Sequence, residues 1–68
     1  MGVSYRKLFK LLIDRKMKKK DLMEAACISP SSMAKLGRDE TVSLEVLIKI
    51  CSALGVDFGD IVEVVPEE

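Results

Sequence analysis

The side chains of this sequence that could carry chemistry are cations and hydroxyls, and most of them lie in one stretch of the chain. A run of three lysines is followed by further hydroxyl and cationic groups: Lys18, Lys19, Lys20, Ser29, Ser31, Ser32, Lys35 and Arg38. Ammonium and guanidinium groups neutralise phosphates, and hydroxyls donate hydrogen bonds to phosphate oxygens or base edges. Residue types in this order therefore predict the binding of a polyanion.

The charge distribution agrees with that prediction. The chain of 68 residues has no net charge, yet its two parts have opposite signs. Residues 1–38 contain ten Lys or Arg and three acidic residues, whereas residues 39–68 contain one Lys and eight acidic residues. Such a domain would present a basic face to a polyanion and keep its acidic part away from it. Solvated helix faces are the simpler explanation of these charges, so the interpretation depends on the predicted fold.

The residues that most enzymes need are missing from the sequence. It contains no histidine, no nucleophile beside a base, no cluster of metal ligands and no glycine-rich phosphate loop. We therefore expect no catalytic site, no metal and no cofactor. Cys27 and Cys51 lie in apolar helical contexts and are expected to be free thiols. Redox sensing would need a thiol pKa lowered by cations, which only Cys27, close to Lys19 and Lys20, could obtain.

Apolar spacing predicts the first two helices. The first would run from Ser4, as its N-cap, to Lys16, because apolar residues recur there every three or four positions. They are Tyr5, Leu8, Phe9, Leu12 and Ile13. A second helix of about two turns would follow the lysine run, since its leucine, methionine and alanines favour helix.

Capping residues predict two further helices and a tail. Ser29-Pro30 combines a capping hydroxyl with proline at the first helical position, so a third helix begins there and ends at a left-handed Gly37. Ser43 would cap a fourth helix that ends at Gly55. Its apolar stripe would be Leu44, Leu47, Ile48, Cys51 and Leu54. A short fifth turn, residues 58–61, precedes an extended segment, residues 62–68, which is either a tail or a strand that needs a partner.

The second and third helices, with a tight turn around Cys27 and Ile28, have the spacing of a helix-turn-helix over residues 19–36. Apolar residues would fix their angle: Leu22, Met23, Ile28, Met33 and Leu36. The third helix would turn four residues toward a DNA groove: Pro30, Ser31, Ser32 and Lys35. Phosphate contacts would come from the amides and hydroxyl at Ser29, where the helix begins, and from the flanking cations: Lys18, Lys19, Lys20 and Arg38.

On these residues the sequence resembles the Cro/CI-type (XRE-like) helix-turn-helix regulators, and within them the small stand-alone bacterial or phage members. The resemblance covers nearly the whole chain. It is carried by Leu8-X3-Leu12, by residues 17–26, by Ile28-Ser29, by residues 43–56 and by Asp60-Ile61-Val62. It implies an all-α, five-helix, lambda-repressor-like single domain over residues 1–68. In that fold the third helix enters the major groove, and repression or autoregulation is the usual role.

Several positions depart from the family's pattern. The family commonly has Thr at Lys18 and Gln at Lys19, so a helix cap and a glutamine phosphate contact are both replaced by lysine. Cys27 stands where the family prefers glycine, and Met23 replaces a small residue, which predicts a turn that is either strained or differently shaped. The end of the third helix also lacks the acidic residue that many members carry there.

The function favoured by the sequence is sequence-specific binding of double-stranded DNA by a cytoplasmic transcriptional regulator, most simply a repressor. We expect a homodimer in which Val62, Val64 and Val65 pair between copies, and no membrane association, because no apolar run could span a bilayer. The alternative is a protein-interaction module of the adaptor or antitoxin type. Its partner surface would combine Glu40, Glu45 and Glu63 with residues 62–65.

Overall fold

A computed structural model of the protein describes residues 2–66, which are mostly helical. Four α-helices are present: α1 (Arg6–Asp14), α2 (Lys19–Ala26), α3 (Pro30–Gly37) and α4 (Leu44–Leu54). They are followed by a 3-10 turn at Phe58–Asp60. Two short strands, β1 (Gly2–Ser4) and β2 (Glu63–Val65), lie at the two ends of the described chain. Within residues 2–66, no helix has the length and apolar character needed to cross a membrane.

The expectation of five helices is not confirmed, because a single 3-10 turn stands where the fifth helix was predicted. Asp57 starts this turn, and its N–H donates to the Asp60 carboxylate at 3.0 Å. Ile61 directly after the turn is fully buried. The chain therefore turns inward after three residues and continues as an extended strand.

The segment predicted to be extended, residues 62–68, contains the strand Glu63–Val65 with a partner in its own chain, and residues 67–68 lie outside the described residues. β2 pairs antiparallel with β1, with Gly2 opposite Val65, Val3 opposite Val64 and Ser4 opposite Glu63. The sequence analysis missed β1, since three residues are too few to show a period of two. Ser4 belongs to this strand, so its prediction as the N-cap of α1 was wrong. Tyr5 takes the N-cap position instead, and the Ser4 hydroxyl accepts a hydrogen bond from the Arg6 N–H at 3.3 Å.

The core combines residues from every helix and from the segment after the 3-10 turn. Its buried apolar side chains are Tyr5, Leu8, Leu12, Leu22, Ala26, Ile28, Met33, Leu36, Ile50, Leu54 and Ile61. Three residues of the predicted stripes do not reach it: Ile13 is 75% exposed, Leu44 is 59% exposed and Ile48 is 50% exposed. On α4 it is Ile50 that is fully buried, so the stripe predicted through Leu44 and Ile48 was rotated away from the true inner face.

The predicted caps of α3 and α4 are confirmed. The Ser29 hydroxyl accepts from the Ser32 N–H at 3.2 Å, and the Ser43 hydroxyl accepts from the Val46 N–H at 3.3 Å. Gly55 ends α4 in the left-handed conformation with a φ of 68°. The left-handed residue after α3 is Asp39, with a φ of 55°, rather than Gly37, which is still helical. Aspartate is one of the few residues with a Cβ that adopt this conformation, and the Asp39 carboxylate accepts from the Tyr5 N–H at 3.0 Å.

Candidate nucleic-acid interface

The pair α2 and α3 is held together by buried apolar residues on either side of a tight turn. Leu22 and Ala26 of α2, Ile28 of the turn, and Met33 and Leu36 of α3 are all buried. Met23, also predicted for this contact, is half-buried and packs against the core. Because both helices are packed against one core, the outer face of α3 is presented on a fixed scaffold.

The turn between α2 and α3 depends on a left-handed cysteine. Cys27 has φ 55° and ψ 45°, and its N–H donates to the Met23 carbonyl. Residues with a Cβ are disfavoured in this region of backbone space. The prediction of a strained turn at Cys27 therefore agrees with its backbone angles. The thiol is free and exposed.

The beginning of α2 is capped by a carboxylate from within the helix. A lysine ammonium has no lone pair to accept from the helix amides, so Lys18 cannot replace a threonine cap with its side chain. Asp21 compensates in part, because its carboxylate accepts from the Lys18 backbone N–H at 2.8 Å. The side chains of Lys18 and Lys20 remain exposed.

The serines at the beginning of α3 differ in their contacts: Ser29 and Ser32 bond to each other, whereas Ser31 is exposed. The Ser29 hydroxyl accepts from the Ser32 N–H and donates to the Ser32 hydroxyl, at 3.2 Å in each case. Ser32 is half-buried, whereas Pro30, Ser31 and Lys35 are exposed. Ser31 and Lys35 are four residues apart, so they lie on the same side of the helix. We call Pro30, Ser31 and Lys35 the reading face of α3.

The side chain of Lys19, the first residue of α2, lies close to residues of α1 and α3. Its Nζ lies 5.3 Å from the centre of the Phe9 ring of α1. A Cβ placed on Gly37, the last residue of α3, would lie 3.8 Å from the same Nζ. Phe9 was predicted only as a core residue, and the periodicity of α1 gave no sign of its contact with a cation. These three residues form what we call the Lys19 seat.

Arg38 forms an ion pair with a carboxylate of its own chain. Its Nε donates to the carboxylate of Glu40, and both side chains are largely exposed, at 63% and 47% respectively. An exposed pair of this kind contributes only about 0.2–1 kcal/mol and is weakened by salt. Arg38 can therefore exchange Glu40 for another anion at small cost.

The loop after α3 is fastened to the start of α1 by Tyr5. The Tyr5 N–H donates to the Asp39 carboxylate at 3.0 Å, and its hydroxyl donates to the Glu40 carbonyl at 2.7 Å. The tyrosine is 1% exposed. Burial raises the pKa of its phenol above the usual 10.0, with a smaller increase from the charge of Asp39. Sequence reasoning missed this connection, because nothing in local spacing links residues so distant in the chain.

Comparison with known proteins places this arrangement in a family. The profile of the Cro/C1-type HTH DNA-binding domain matches residues 7–67. The chain belongs to this family. Its structure also superposes on a crystal structure of the transcriptional regulator VanUg (Form II) with a TM-score of 0.92. The two are 61% identical, and the match covers 97% of this chain and 88% of that one. No curated protein matches the sequence significantly.

Membership in the Cro/C1-type family makes the protein a DNA-binding domain rather than an enzyme. Both cysteines are free thiols. Cys51 lies half-buried on α4, and burial raises the pKa of its thiol, with additional increases from Asp57 and Asp60. A raised thiol pKa lowers the thiolate fraction and therefore its reactivity. Within residues 2–66 no group of three or more metal-ligating side chains occurs.

Of the valines predicted to pair two copies of this chain, Val64 and Val65 lie on β2 and Val62 directly precedes it. Val62 is half-buried, and Val64 and Val65 are 62% and 40% exposed. β1 occupies one edge of β2. The other edge of β2 is not paired within residues 2–66, and an unpaired edge can accept a strand from another chain.

Proposed function

We propose that this protein is a sequence-specific transcriptional regulator, most simply a repressor, that inserts α3 into the major groove of double-stranded DNA. The observation that carries the proposal is the reading face of α3, in which Pro30, Ser31 and Lys35 are exposed on a helix whose opposite side is buried. A groove about 12 Å wide admits one helix, and Ser or Lys side chains reach base edges or phosphates. Ser32 contributes at the margin, since its hydroxyl already bonds with Ser29.

The phosphate contacts in this proposal flank the reading face. Lys18, Lys19 and Lys20 lie at the start of α2, Ser29 at the start of α3, and Arg38 just after it. The helix beginnings also offer unpaired amides and positive partial charge to phosphate oxygens. These contacts would fix the position of the protein on the duplex, while the reading face would choose the sequence.

Repression is the simplest regulatory outcome because no activating surface is needed for it. A domain that occupies a promoter excludes other proteins from the same groove. Since its target is chromosomal or phage DNA, we also propose that the protein acts in the cytoplasm. The similar chain VanUg is itself called a transcriptional regulator, which supports the regulatory part of the proposal.

We propose further that the active form is a homodimer joined along the free edge of β2. Val62, Val64 and Val65 would supply apolar contact there. A single α3 of eight residues reads only a few base pairs, and two copies would read half-sites about 34 Å apart. The partner strand would extend the existing two-stranded sheet.

Fluorescence anisotropy with the upstream region of the protein's own gene and with a random duplex pool, at about 50 and 200 mM salt, tests DNA binding. Four lysine or arginine contacts predict a loss of affinity of about a hundredfold between these salt concentrations for one protomer, and the eight contacts of a dimer predict a loss of about ten thousandfold. Lys35→Ala should weaken binding to the preferred duplex about tenfold or more.

The matched control is Lys49→Ala. Lys49 lies on α4 and pairs with Glu45 at 3.6 Å, so its removal should leave DNA affinity unchanged. Equal losses for both variants would reveal a general charge effect and contradict reading by α3. Absence of binding at either salt concentration would exclude the DNA-binding proposal.

A second candidate is a protein-interaction module, favoured by apolar side chains on the acidic part of the chain. Leu44, Ile48 and Phe58 are 59%, 50% and 39% exposed. Glu40, Glu45, Glu63 and residues 62–65 would complete a partner surface. Binding through it should persist in Lys19→Ala and Lys35→Ala, which distinguishes the adaptor from the DNA reader.

A further inference from the structure

The Lys19 seat is the feature of the structure that the family pattern does not explain. Lys19 stands where the family commonly has glutamine, and its ammonium lies 5.3 Å from the centre of the Phe9 ring. The face of an aromatic ring carries negative electrostatic potential and attracts an ammonium within about 6 Å. The contact joins α1 to the first residue of α2.

We propose that Phe9 is a positioning residue for DNA binding, which holds the Lys19 ammonium in place for a phosphate before DNA arrives. The inference rests on the proposed function. A free lysine side chain samples many rotamers, and fixing it on binding costs conformational entropy. A ring that restricts the ammonium beforehand reduces that cost and so tightens binding.

The surroundings of Lys19 leave its N–H donors available. Within residues 2–66 no carboxylate forms a salt bridge with it, whereas Arg38 and Lys49 both have such partners. An aromatic face attracts the ammonium without accepting all three of its N–H groups. Lys19 is also exposed, so a phosphate can approach the side of the ammonium that faces away from the ring.

Gly37 is the third residue of the Lys19 seat. A Cβ at this position would lie 3.8 Å from the Lys19 Nζ, which places the ammonium next to the C-terminal end of α3. The C-terminal end of a helix carries negative partial charge, which attracts a cation. The proposed phosphate contact of Lys19 therefore lies next to α3, the helix that carries the reading face.

Phe9 also has a structural role that the test must separate from this one. It is half-buried and packs against the core, so its truncation would lower stability whatever its effect on Lys19. Phe9→Leu retains most of the apolar contact and removes the aromatic face. Phe9→Tyr retains the face and should recover most of the affinity lost in Phe9→Leu.

The experiment is a double-mutant cycle on duplex affinity with Phe9→Leu, Lys19→Met and the double variant, each measured over a series of salt concentrations. Lys19→Met should reduce the slope of log affinity against log salt by about 0.9 per protomer, the value for one lost phosphate contact. Phe9→Leu should weaken binding about three- to fivefold in the presence of Lys19 and have no effect in the Lys19→Met background. The slope of log affinity against log salt for Phe9→Leu alone should equal that of the wild type.

A measurement on the free protein keeps the proposal testable if Phe9→Leu is too unstable for the cycle. The Lys19 ε-methylene protons should show upfield ring-current shifts in the NMR spectrum, and these should persist in Phe9→Tyr. Absence of the shifts in the wild type would overturn the proposal.

The outcomes of the cycle separate two kinds of failure. If the wild type binds the duplex and Phe9→Leu weakens binding equally with and without Lys19, Phe9 acts through stability and the positioning role is wrong. If the wild type binds no duplex under any condition, the proposed function itself fails, and the positioning role fails with it.

Discussion

Cys27 shows how a single residue can set the stability of the motif. It occupies a left-handed position, φ 55°, that glycine adopts without steric cost. The family's preference for glycine there has the same physical origin. The thiol makes only a long contact of 3.8 Å with the Glu24 carbonyl, so little is lost when it is removed.

Cys27→Gly should therefore raise the free energy of unfolding by about 1 kcal/mol relative to Cys27→Ala, measured by urea denaturation. The alanine variant is the control, because it removes the thiol and keeps the Cβ. Equal stability of the two variants would show that the turn relieves its strain elsewhere.

Tyr5 is the chain's one tyrosine, so its ionisation can be followed directly. Its pKa is raised by burial and by Asp39, which means that the folded state disfavours the phenolate. The stabilisation is fully present below the unfolded pKa of 10.0 and is lost as pH rises through the higher folded pKa. Absorbance at 295 nm should give a midpoint above 10.0, and unfolding should become easier across the same range.

Tyr5→Phe provides the comparison for the pH experiment, since lysines also titrate near pH 10. This variant should be less stable at neutral pH, because the Glu40 carbonyl loses its hydrogen bond. Its stability should fall less steeply than that of the wild type above pH 10. Parallel curves of stability against pH for the two proteins would argue against a raised pKa of Tyr5.

Arg38 offers a way to strengthen DNA binding by one substitution. Glu40→Gln removes the carboxylate that competes for the guanidinium and retains the backbone carbonyl that accepts from Tyr5. An exposed pair worth about 0.2–1 kcal/mol predicts affinity for a duplex about 1.4- to 5-fold tighter. The control is Glu45→Gln, whose partner Lys49 lies on α4; an equal gain there would indicate a long-range charge effect only.

At the scale of the elements, the caps decide where α3 and α4 begin. Ser29 and Ser43 were identified from the sequence because a cap is a local interaction between a hydroxyl and an amide three residues later. The predicted beginnings of α3 and α4 agree with the structure for the same reason. β1 and the Tyr5 contacts could not be predicted, since they join residues far apart in the chain and leave no periodic pattern.

The rotation of the α4 stripe has a similar explanation. Leu44, Ile48 and Ile50 are equally apolar, and spacing alone does not show which of them faces α2 and the core. The exposed Ile48 and Phe58 border a groove of about 500 Å³ between α4 and the 3-10 turn. A helix with apolar residues on more than one side gives an ambiguous prediction of its inner face.

Ser29 and Ser31 form a matched pair for separating stability from DNA binding. Ser29→Ala should lower the free energy of unfolding by about 1 kcal/mol, because the Ser32 amide loses its acceptor. Ser31→Ala should change stability by less than about 0.5 kcal/mol, since the side chain is exposed, yet weaken binding to the preferred duplex. Thermal unfolding and anisotropy on both variants check the distinction.

At the scale of the whole molecule, the basic and acidic parts of the chain lie on different elements of the fold. The cations proposed to contact phosphate lie on α2, α3 and the residues beside them, whereas α4 and the segment after it carry most of the acidic groups. The family fold and a DNA-binding role were predictable from the sequence, because the motif is contiguous. The residues that form the Lys19 seat were not, because they come from three separate helices.

The homodimer proposal is tested by sedimentation equilibrium at tens of micromolar protein. Val64→Lys places a charge on the exposed edge of β2 and should shift the protein toward monomer. Ile48→Lys is the control on the other exposed apolar surface. Dissociation by Ile48→Lys alone would move the interface to α4, and a monomeric wild type, with and without DNA, would exclude the dimer.

The pairing of β1 with β2 also has a consequence for the order of folding. The helices form from contacts between near neighbours in the chain, whereas Val3 and Val64 are roughly sixty residues apart. Closing so long a loop costs entropy that only a nearly complete helical core can offset. The sheet should therefore form last and open first, so that the strand edge proposed to join two copies becomes available only after each copy has folded.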